Sequence, residues 1–406
     1  MFKSTVDQRR ALLAASLGWM LDSMDVMLYS MVLTYLMRDL AMSTRTAGLL
    51  GSVTLVSSAI GGIGFGVIAD RLGRTKALMA SILIYSVSTA LCGLAGSIVQ
   101  LAVFRVLLGL GMGGEWATGA ALVSETWPAE RRGKALGFMQ SSWAIGYALA
   151  AAITALILPR YGWRAVFFAG IAPALVTVWI RSSVKEPEVW KQSRTRIEAD
   201  KKNELLRLLE PGLRRLVLVT TTVNVGTMFA WWGLFSWIPR YLGLPRDEGG
   251  AGLDIVGTST WVILMQGGMW LGYVTFGFVS DRFGRKLTYI SYLFIAAILV
   301  PIYGNVRNPA ALLWLGPMVA FFGTGYFTGF GIITAELFPT SIRATAQGLT
   351  YNVGRAVSAV APFAVGSLAE THGLGFAFYL VALAFLASAL LAILLPETKG
   401  REITAD

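Results

Sequence analysis

A nine-residue pattern occurs twice in this chain. Gly66–Arg74 reads GVIADRLGR and Gly277–Arg285 reads GFVSDRFGR. The two copies lie 211 residues apart (281 − 70), which is just over half of the 406-residue length. A second group repeats at the same offset, with Glu125, Pro128, Arg132 and Gly137 matching Glu336, Pro339, Arg343 and Gly348. Two motifs in one register indicate an internal duplication, and so long a period predicts two similar halves rather than a solenoid.

Apolar runs close to the length that crosses a bilayer, about 20 residues, recur along both halves. Hydrophobic residues make up 55% of the chain and charged residues 14%, whereas a soluble domain carries about a quarter charged residues. We therefore predict an all-α membrane protein with twelve transmembrane helices in two pseudo-symmetric six-helix bundles. The predicted spans are 11–36, 46–69, 77–96, 98–123, 134–158, 164–183, 215–240, 255–280, 286–303, 309–335, 343–368 and 373–395.

A long charged segment at the midpoint separates the predicted bundles. It divides the chain into an N-terminal bundle over 1–183, a linker over 184–214 and a C-terminal bundle over 215–406. From about Leu205 the linker can form a surface helix whose arginine and lysine side chains lie against the membrane. The short basic segment before the first apolar run predicts a retained membrane helix and not a cleaved signal peptide.

The distribution of Lys and Arg predicts the orientation. With both termini in the cytoplasm, the inner segments hold 25 of the 34 Lys and Arg residues, the outer loops hold 7, and two lie inside spans. Inner loops of membrane proteins carry this excess. We therefore expect a multi-pass protein of the bacterial cytoplasmic (inner) membrane with both termini and the linker in the cytoplasm.

Several classes of function are disfavoured by the residue inventory. A single cysteine, Cys92, and a single histidine, His372, argue against disulfide frameworks and most metal sites. Basic loops explain the net charge of +11 without a nucleic-acid partner. We find no pattern of a catalytic nucleophile or a cofactor loop, so we expect no enzyme activity, no metal, no cofactor and a monomeric protein in the lipid bilayer.

The arrangement of spans and the doubled loop resemble the major facilitator superfamily over the whole chain. The loop pattern is specific because it occurs at matched positions, after spans 2 and 8. Other matching marks are Arg105 with Gly109 and Gly111, the turn that holds Glu125, Pro128 and Arg132, and residues 396–400, which read PETKG. Residues 18–25 and 113–115 are similar to the organic-acid branch, whose members are proton symporters for sialate, lactate and related monocarboxylates, aromatic acids and nicotinate.

This resemblance implies that the doubled loop is a conformational latch that holds one access state. Its glycines are expected where two spans and a tight turn approach closely, and its aspartate where a carboxylate can accept from the N-terminus of a neighbouring helix. A merely basic loop would explain the arginines but not the repeated aspartate. The predicted gating residues are Gly66, Asp70, Arg71, Gly73, Arg74, Glu125, Arg132, Gly277, Asp281, Arg282, Arg285, Glu336 and Arg343.

Charges inside predicted spans are costly and therefore informative. Asp22 and Asp25 are three residues apart and share a helix face, and two neighbouring acids disfavour double ionisation, so that one of them can hold and release a proton. Glu115 is a third buried acid, among glycines of span 4. The alternative for all three is structural pairing. The predicted proton-coupling residues are Asp22, Asp25, Glu115 and, by family resemblance, Arg105.

Arg355 is the second in-span cation, and we predict that it anchors the substrate in preference to Arg105, which is the less favoured candidate for the same contact. Its guanidinium presents a planar fork of donors that matches a carboxylate, although a salt bridge to span 1 or span 7 is the competing interpretation. None of the buried charges recurs at the 211-residue offset, which favours a role in chemistry over a role in the shared scaffold. Their counterparts are Gly233 for Asp22, Ser236 for Asp25, Gly316 for Arg105, Tyr326 for Glu115 and Ala144 for Arg355.

Polar and aromatic side chains share faces of several other spans. Aromatic walls with few hydrogen-bond donors suit a small organic anion better than a sugar, although each residue taken alone can serve packing. The predicted substrate-binding residues are Arg355, Asn352, Tyr351, Gln140, Trp143, Tyr147, Asn224, Trp231, Gln266 and Tyr326.

We therefore expect a secondary transporter that imports a small organic anion together with protons by alternating access. The substrate would be a monocarboxylate such as lactate, or an acid of the aromatic, nicotinate or sialate type. The alternatives are a sugar or zwitterion proton symporter, a drug efflux antiporter and a non-transporting sensor. Efflux is disfavoured because span 5 lacks the Gly-Pro signature usual in the family's antiporters.

Overall fold

The computed structural model describes residues 5–187, 208–338 and 342–400, without the side chains of Asp70, Ala117, 129–133, Arg181 and 343–345. All regular structure in these residues is helical. The first half contains α1 Val6–Asp39, α2 Thr44–Leu72, α3 Arg74–Cys92, α4 Ile98–Thr126, α5 Ala129–Ala169 and α6 Pro173–Ser183. The second half contains α7 Pro211–Phe235, α8 Ile238–Gly243, α9 Ile255–Phe283, α10 Arg285–Asn305, α11 Pro309–Leu337, α12 Arg343–Ser358, α13 Ala361–His372 and α14 Leu374–Ala392.

Ten described helical stretches are long and apolar enough to cross a membrane. The difference from twelve predicted spans has two local causes. The fifth and sixth spans fall in one stretch, Lys134–Ile180, which contains Pro159 and a kink at Gly162 (φ 76°). The eleventh span is broken into α12 and α13 at residues 359–360. These elements are consistent with a twelve-helix fold, and lipid favours it because a helix satisfies its own backbone hydrogen bonds.

The helix starts follow from short polar residues in the loops. Thr5 and Gln8 form a capping box at α1, and Ser43, Ser97 and Asp254 accept hydrogen bonds from the first turns of α2, α4 and α9. Such caps satisfy backbone donors that have no partner inside the helix. The chain can therefore turn back sharply at the membrane surface and place consecutive helices side by side.

The same helix contact recurs in both halves. In the first half α2 packs on α4, and in the second half α9 packs on α11. A side chain at Gly61 would meet the carbonyl oxygen of Leu110, and one at Gly272 would meet that of Phe321. Because both positions of this contact are matched 211 residues later, with the glycine kept, the close backbone approach belongs to the duplicated scaffold.

The two halves meet through α5 with α9 and α2 with α13. We call the end that carries Thr5 and residue 400 the terminal end, and the other the distal end. At the distal end the Arg45 amide donates to Glu370 Oε2 at 2.9 Å, and the Phe363 amide donates to Ser52 Oγ at 3.2 Å. These bonds close the distal end between the halves.

The interface helices leave open space toward the terminal end. A Cβ built at Gly66, Gly137, Gly277 or Gly348 would meet no atom of the described residues within 4 Å. The close approach predicted at Gly66 and Gly277 is therefore not made with any atom of the described residues. The predicted linker and its surface helix lie mostly outside the described residues, so the division into two bundles with boundaries at 184 and 214 stays a prediction.

Candidate functional site

Three acidic side chains lie in the middle of the first half. Asp22 and Asp25 lie on α1 and Glu115 on α4, each at most 1% exposed. None of their carboxylate oxygens has a hydrogen-bond partner among the described residues. Gly18 makes room for Glu115, because a Cβ there would collide with its Oε1. Three unpartnered acids in one buried cluster form a site that can hold protons.

Arg355 links this cluster to the second half. It lies on α12, is 3% exposed, and interacts electrostatically with Asp22 and Glu115. Asp25 is one turn further along α1, where its neighbours are Thr89 and Asp22. The Thr89 hydroxyl donates to the Tyr85 carbonyl at 2.9 Å. Arg355 therefore interacts electrostatically with Asp22 and Glu115 more directly than with Asp25.

A narrow cavity of about 30 Å³ lies beside Arg355 between the two halves in this conformation. We call it the central cavity. It is lined by Trp19, Gln140, Trp143, Met228, Trp231, Trp232, Tyr273, Phe327, Tyr351 and Arg355. Among the described residues, Arg355 is the only charged one in this lining, which otherwise is aromatic apart from one amide and one thioether. Such a cavity suits a small ligand that carries a negative charge on an apolar body.

Trp143 lies at the centre of the aromatic wall. Its ring centroid lies 4.6 Å from that of Trp19, 5.6 Å from Trp231 and 6.1 Å from Trp232. The indole nitrogens of Trp19, Trp143 and Trp231 have no hydrogen-bond partner among the described residues. The wall therefore holds indole N–H donors that are free to orient a polar group of the ligand.

An aromatic stack crosses between the halves on the terminal side of Arg355. Trp116 of α4 and Tyr351 of α12 are nearly parallel, with centroids 4.0 Å apart and planes 10° apart. Tyr351 precedes Arg355 by one helical turn, so the stack covers the central cavity toward the terminal end.

Five of the ten predicted substrate-binding residues lie in the cavity lining, namely Arg355, Tyr351, Gln140, Trp143 and Trp231. The structure places the other five elsewhere, where their polar groups bond to or face neighbouring helices. Tyr147 donates to the Phe235 carbonyl at 2.9 Å, Tyr326 to that of Thr227 at 3.0 Å, and Asn224 to that of Thr350 at 3.0 Å. Asn352 donates to the Gly348 carbonyl at 2.9 Å, and Gln266 is 3% exposed within α9.

Arg105 does not lie with the acids in this structure. It is 2% exposed on α4, its guanidinium carbon lies 3.7 Å from the ring centroid of Tyr29, and its Nε donates to the Leu50 carbonyl at 3.3 Å. No ion pair to Arg105 occurs in the described part of the chain. The predicted link between Arg105 and the proton-binding acids is therefore not a direct contact here.

The predicted gating residues form ion pairs that repeat between the halves. Arg74 pairs with Glu125 at 2.8 Å, and Arg285 pairs with Glu336 at 3.3 Å. Arg285 also pairs with Asp281 one turn earlier. The side chains of Arg132, Arg343 and Asp70, which are also predicted gating residues, lie outside the described part of the structure. Gly73 and Gly284 adopt φ of 114° and 103° in the turns before α3 and α10, a conformation that favours glycine.

Comparison with known proteins agrees with this architecture. The family model of the Major Facilitator Superfamily matches residues 15–273 and 250–405. The chain belongs to the major facilitator superfamily. It is 34% identical to a sialic acid transporter of Escherichia coli, over 95% of this chain and 93% of the relative. It is 33% identical to a cis,cis-muconate transport protein of Acinetobacter baylyi, over 92% of this chain and 91% of the relative.

A solved structure of a D-xylose-proton symporter superposes with a TM-score of 0.80 at 20% identity, over 98% of this chain and 99% of that chain. At this identity the likeness shows the fold alone. Family and relatives together make this chain a multi-pass membrane transporter of the superfamily and not an enzyme.

One pair of residues in this superfamily member was missed by sequence reasoning. Glu186 accepts from the backbone amides of Thr75 and Lys76 at the start of α3. Glu397 accepts from the amides of Arg285 and Lys286 at the start of α10. The two glutamates lie 211 residues apart (397 − 186), which is also the offset of the doubled loop. The sequence could therefore have identified them as a matched pair. Glu186 and Glu397, and not Asp281, accept hydrogen bonds from the backbone amides at the starts of α3 and α10.

Replacing Glu397 by Gln is expected to lower the free energy of unfolding by about 1 kcal/mol at neutral pH, because a charged cap is lost. Burial opposes ionisation of Glu397, but the amides of Lys399, Arg285, Lys286 and Thr398 outweigh it and lower its pKa. Because the pKa of Glu397 is lowered in the folded state, its ionised carboxylate stabilises the fold at pH values above the ordinary glutamate pKa of about 4.3. This stabilisation is lost as the pH falls through the lowered pKa. Melting curves in detergent between about pH 3 and 7 measure this.

The matched control is Glu210→Gln, because Glu210 precedes α7 without a side-chain cap bond. Its melting temperature should not change at any of these pH values. A Glu397→Gln protein that melts with the wild type at neutral pH, or that differs from it only at acidic pH, contradicts the capping role.

Proposed function

We propose that this transporter imports a small organic anion together with protons by alternating access. The observation that carries the proposal is the position of Arg355. The same guanidinium lines the central cavity and interacts electrostatically with the buried acids Asp22 and Glu115. One cation therefore connects ligand binding to the protonation of the acids, which is what a symporter requires.

The coupling follows from the charge on the acids. When Asp22 or Glu115 is ionised, it attracts Arg355 and competes with a ligand carboxylate for the guanidinium. When a proton binds to the acid, that competition ends, and Arg355 can offer its planar fork of donors to the ligand. Protonation therefore raises the affinity for the anion, and by linkage the anion raises the affinity for the proton.

The lining supports an organic anion as the class of substrate. Arg355 supplies the charge complement, the tryptophans supply apolar area, and their unpartnered indole donors can orient a second polar group. The sialate and cis,cis-muconate that the two relatives transport are carboxylates. A carboxylate on a compact, partly apolar body is the chemistry common to the cavity and to these relatives.

The open and closed ends indicate the access state of this conformation. The distal end is closed by contacts of α2 with α13, and open space lies beside Gly66, Gly137, Gly277 and Gly348 toward the terminal end. The loop charges predict that the terminal end lies in the cytoplasm. With that orientation, this conformation is the inward-facing state of the transport cycle. The pairs Arg74–Glu125 and Arg285–Glu336 at the terminal end would act in the predicted latch that helps to select the access state.

Uptake into proteoliposomes under an imposed pH gradient tests the proposal. Labelled cis,cis-muconate, sialate, nicotinate, benzoate and lactate are each supplied outside, with the interior more alkaline by one pH unit. At least one of them should accumulate above its external concentration, and a protonophore should abolish the accumulation. Uptake that ignores the gradient for every accepted substrate would refute proton coupling. No uptake of any of the five would refute organic-anion transport.

A zwitterion with a quaternary ammonium group is the second candidate. Trp19, Trp143, Trp231 and Trp232 form a cluster of indole faces beside Arg355, and such faces attract an alkylated ammonium group by cation–π interaction. Glycine betaine in the same uptake assay decides between the candidates. Transport of betaine with rejection of all five simple acids would favour the zwitterion.

A further inference from the structure

A second buried cavity, which we call the distal cavity, surrounds Arg105. Its volume is about 20 Å³ in this closed conformation, and its lining includes Tyr29, Ser30, Thr54, Arg105, Trp232 and Trp237. The lining side chains come from α1, α2 and α4 of the first half and from the α7–α8 region and α13 of the second. A cavity shared by both halves near the closed distal end becomes accessible from that side when the halves separate there.

The charge in this cavity is not neutralised by the protein. Arg105 is 2% exposed and stacks on Tyr29, and one of its terminal nitrogens, Nη1, has no hydrogen-bond partner among the described residues. No acidic side chain of the described residues forms an ion pair with it. A buried arginine without an anionic partner is costly in a protein interior. That cost is lowered whenever an anion enters the cavity.

The distal cavity adjoins the central cavity through one side chain. Trp232 lines both, with its indole 6.1 Å from that of Trp143 on the central side. Arg105 and Arg355 therefore lie in successive cavities separated by a tryptophan. A carboxylate that enters from the distal end meets Arg105 before it can reach Arg355.

We propose that the distal cavity is a second carboxylate-binding subsite, in which Arg105 holds the anion before it passes Trp232 into the central cavity. This inference rests on the proposed function. It assigns to Arg105 a direct contact with the substrate in the distal-open state, which is distinct from a contact with the acids. Substrate binding from the distal face should therefore depend on Arg105, whereas binding from the terminal face reaches Arg355 without it.

Exchange of labelled anion in right-side-out and inside-out membrane vesicles tests this asymmetry. Both sides are kept at one pH, so that proton coupling does not enter the measurement. The probe is the first of cis,cis-muconate, sialate, nicotinate, benzoate and lactate that the wild type exchanges. Arg105→Gln should raise the half-saturating concentration about tenfold at the distal face, because a hydrogen-bonded charge is lost. It should change by less than about twofold at the terminal face, and Arg105→Lys should recover part of the loss.

Ser30→Leu is the second variant, because it fills the distal cavity and leaves Arg105 in place. It should raise the half-saturating concentration at the distal face alone, and it decides the question if Arg105→Gln does not fold. An equal rise at both faces, or no rise at the distal face, overturns the subsite. If the wild type exchanges none of the five probes, the proposed function itself has failed. If the wild type exchanges a probe without the asymmetry, only the distal subsite has failed.

Discussion

The Arg355→Gln protein is expected to bind and transport organic anions about 100-fold more weakly than the wild type. Arg355 is the only charge in the central cavity lining, and it is 3% exposed. Glutamine retains hydrogen-bonding capacity but loses the positive charge, so a ligand carboxylate that enters the cavity leaves water without a counter-charge. The half-saturating concentration for uptake and the dissociation constant of the purified protein measure this loss.

The control is Arg160→Gln, because Arg160 is exposed and lies beside the kink of α5, away from the central cavity. It should transport like the wild type. Circular dichroism and a melting curve show whether the Arg355→Gln protein is folded. Arg355→Lys separates charge from geometry, because lysine keeps the charge but not the planar fork, and it should recover only part of the affinity. Retention of wild-type transport by Arg355→Gln would contradict the anchoring role and favour a sugar as substrate.

The Asp22→Asn protein is expected to exchange anion but not to accumulate it. Asparagine has nearly the shape of a protonated aspartate and cannot release a proton, so Arg355 is always available to the substrate. Each coupled proton can support at most about tenfold accumulation per unit of pH gradient, because one pH unit corresponds to about 1.4 kcal/mol. Accumulation due to a proton bound at Asp22 should therefore disappear, while exchange at equal pH stays within about threefold of the wild type.

Asp25→Asn is the comparison that tests the geometry. Asp25 is as buried as Asp22, but Thr89 and Asp22 are its neighbours and Arg355 acts on Asp22 and Glu115 instead. We therefore expect Asp25→Asn to retain more of the accumulation than Asp22→Asn or Glu115→Gln. Full proton-driven accumulation by the Asp22→Asn protein would remove Asp22 from the coupling mechanism, and Glu115→Gln would then identify the remaining candidate.

Much of this architecture could be predicted without coordinates. The helical membrane fold follows from the hydropathy, whereas the family and the transporter class follow from the resemblance that the doubled motif carries, and the comparisons confirm them. The duplication also separated the residues of the repeated ion pairs from the buried charges near the central cavity. Arg74, Glu125, Arg285 and Glu336 recur and form matching ion pairs, whereas Asp22, Glu115 and Arg355 do not recur and converge near the central cavity.

The composition of the cavity wall was predicted less well. Trp19, Trp232, Tyr273 and Phe327 line the central cavity without having been singled out, while Tyr147 and Tyr326 are used to join helices. A buried aromatic residue has the same hydropathy whether it faces a ligand or a neighbouring helix. Small rotations of a helix about its axis decide between these outcomes, and in helices buried on most sides the sequence pattern constrains that rotation weakly.

The sequence by itself determined that the chain is a duplicated bundle of membrane helices with a few buried charges, because apolar length, loop charge and repeated motifs are properties of the linear chain. Only the tertiary structure decided which charges meet. Arg355 acts on Asp22 and Glu115, which are more than half of the chain's length away, and Trp232 separates the cavities of Arg105 and Arg355. Such contacts arise from the packing of one half against the other, which depends on the rotation and tilt of every helix together.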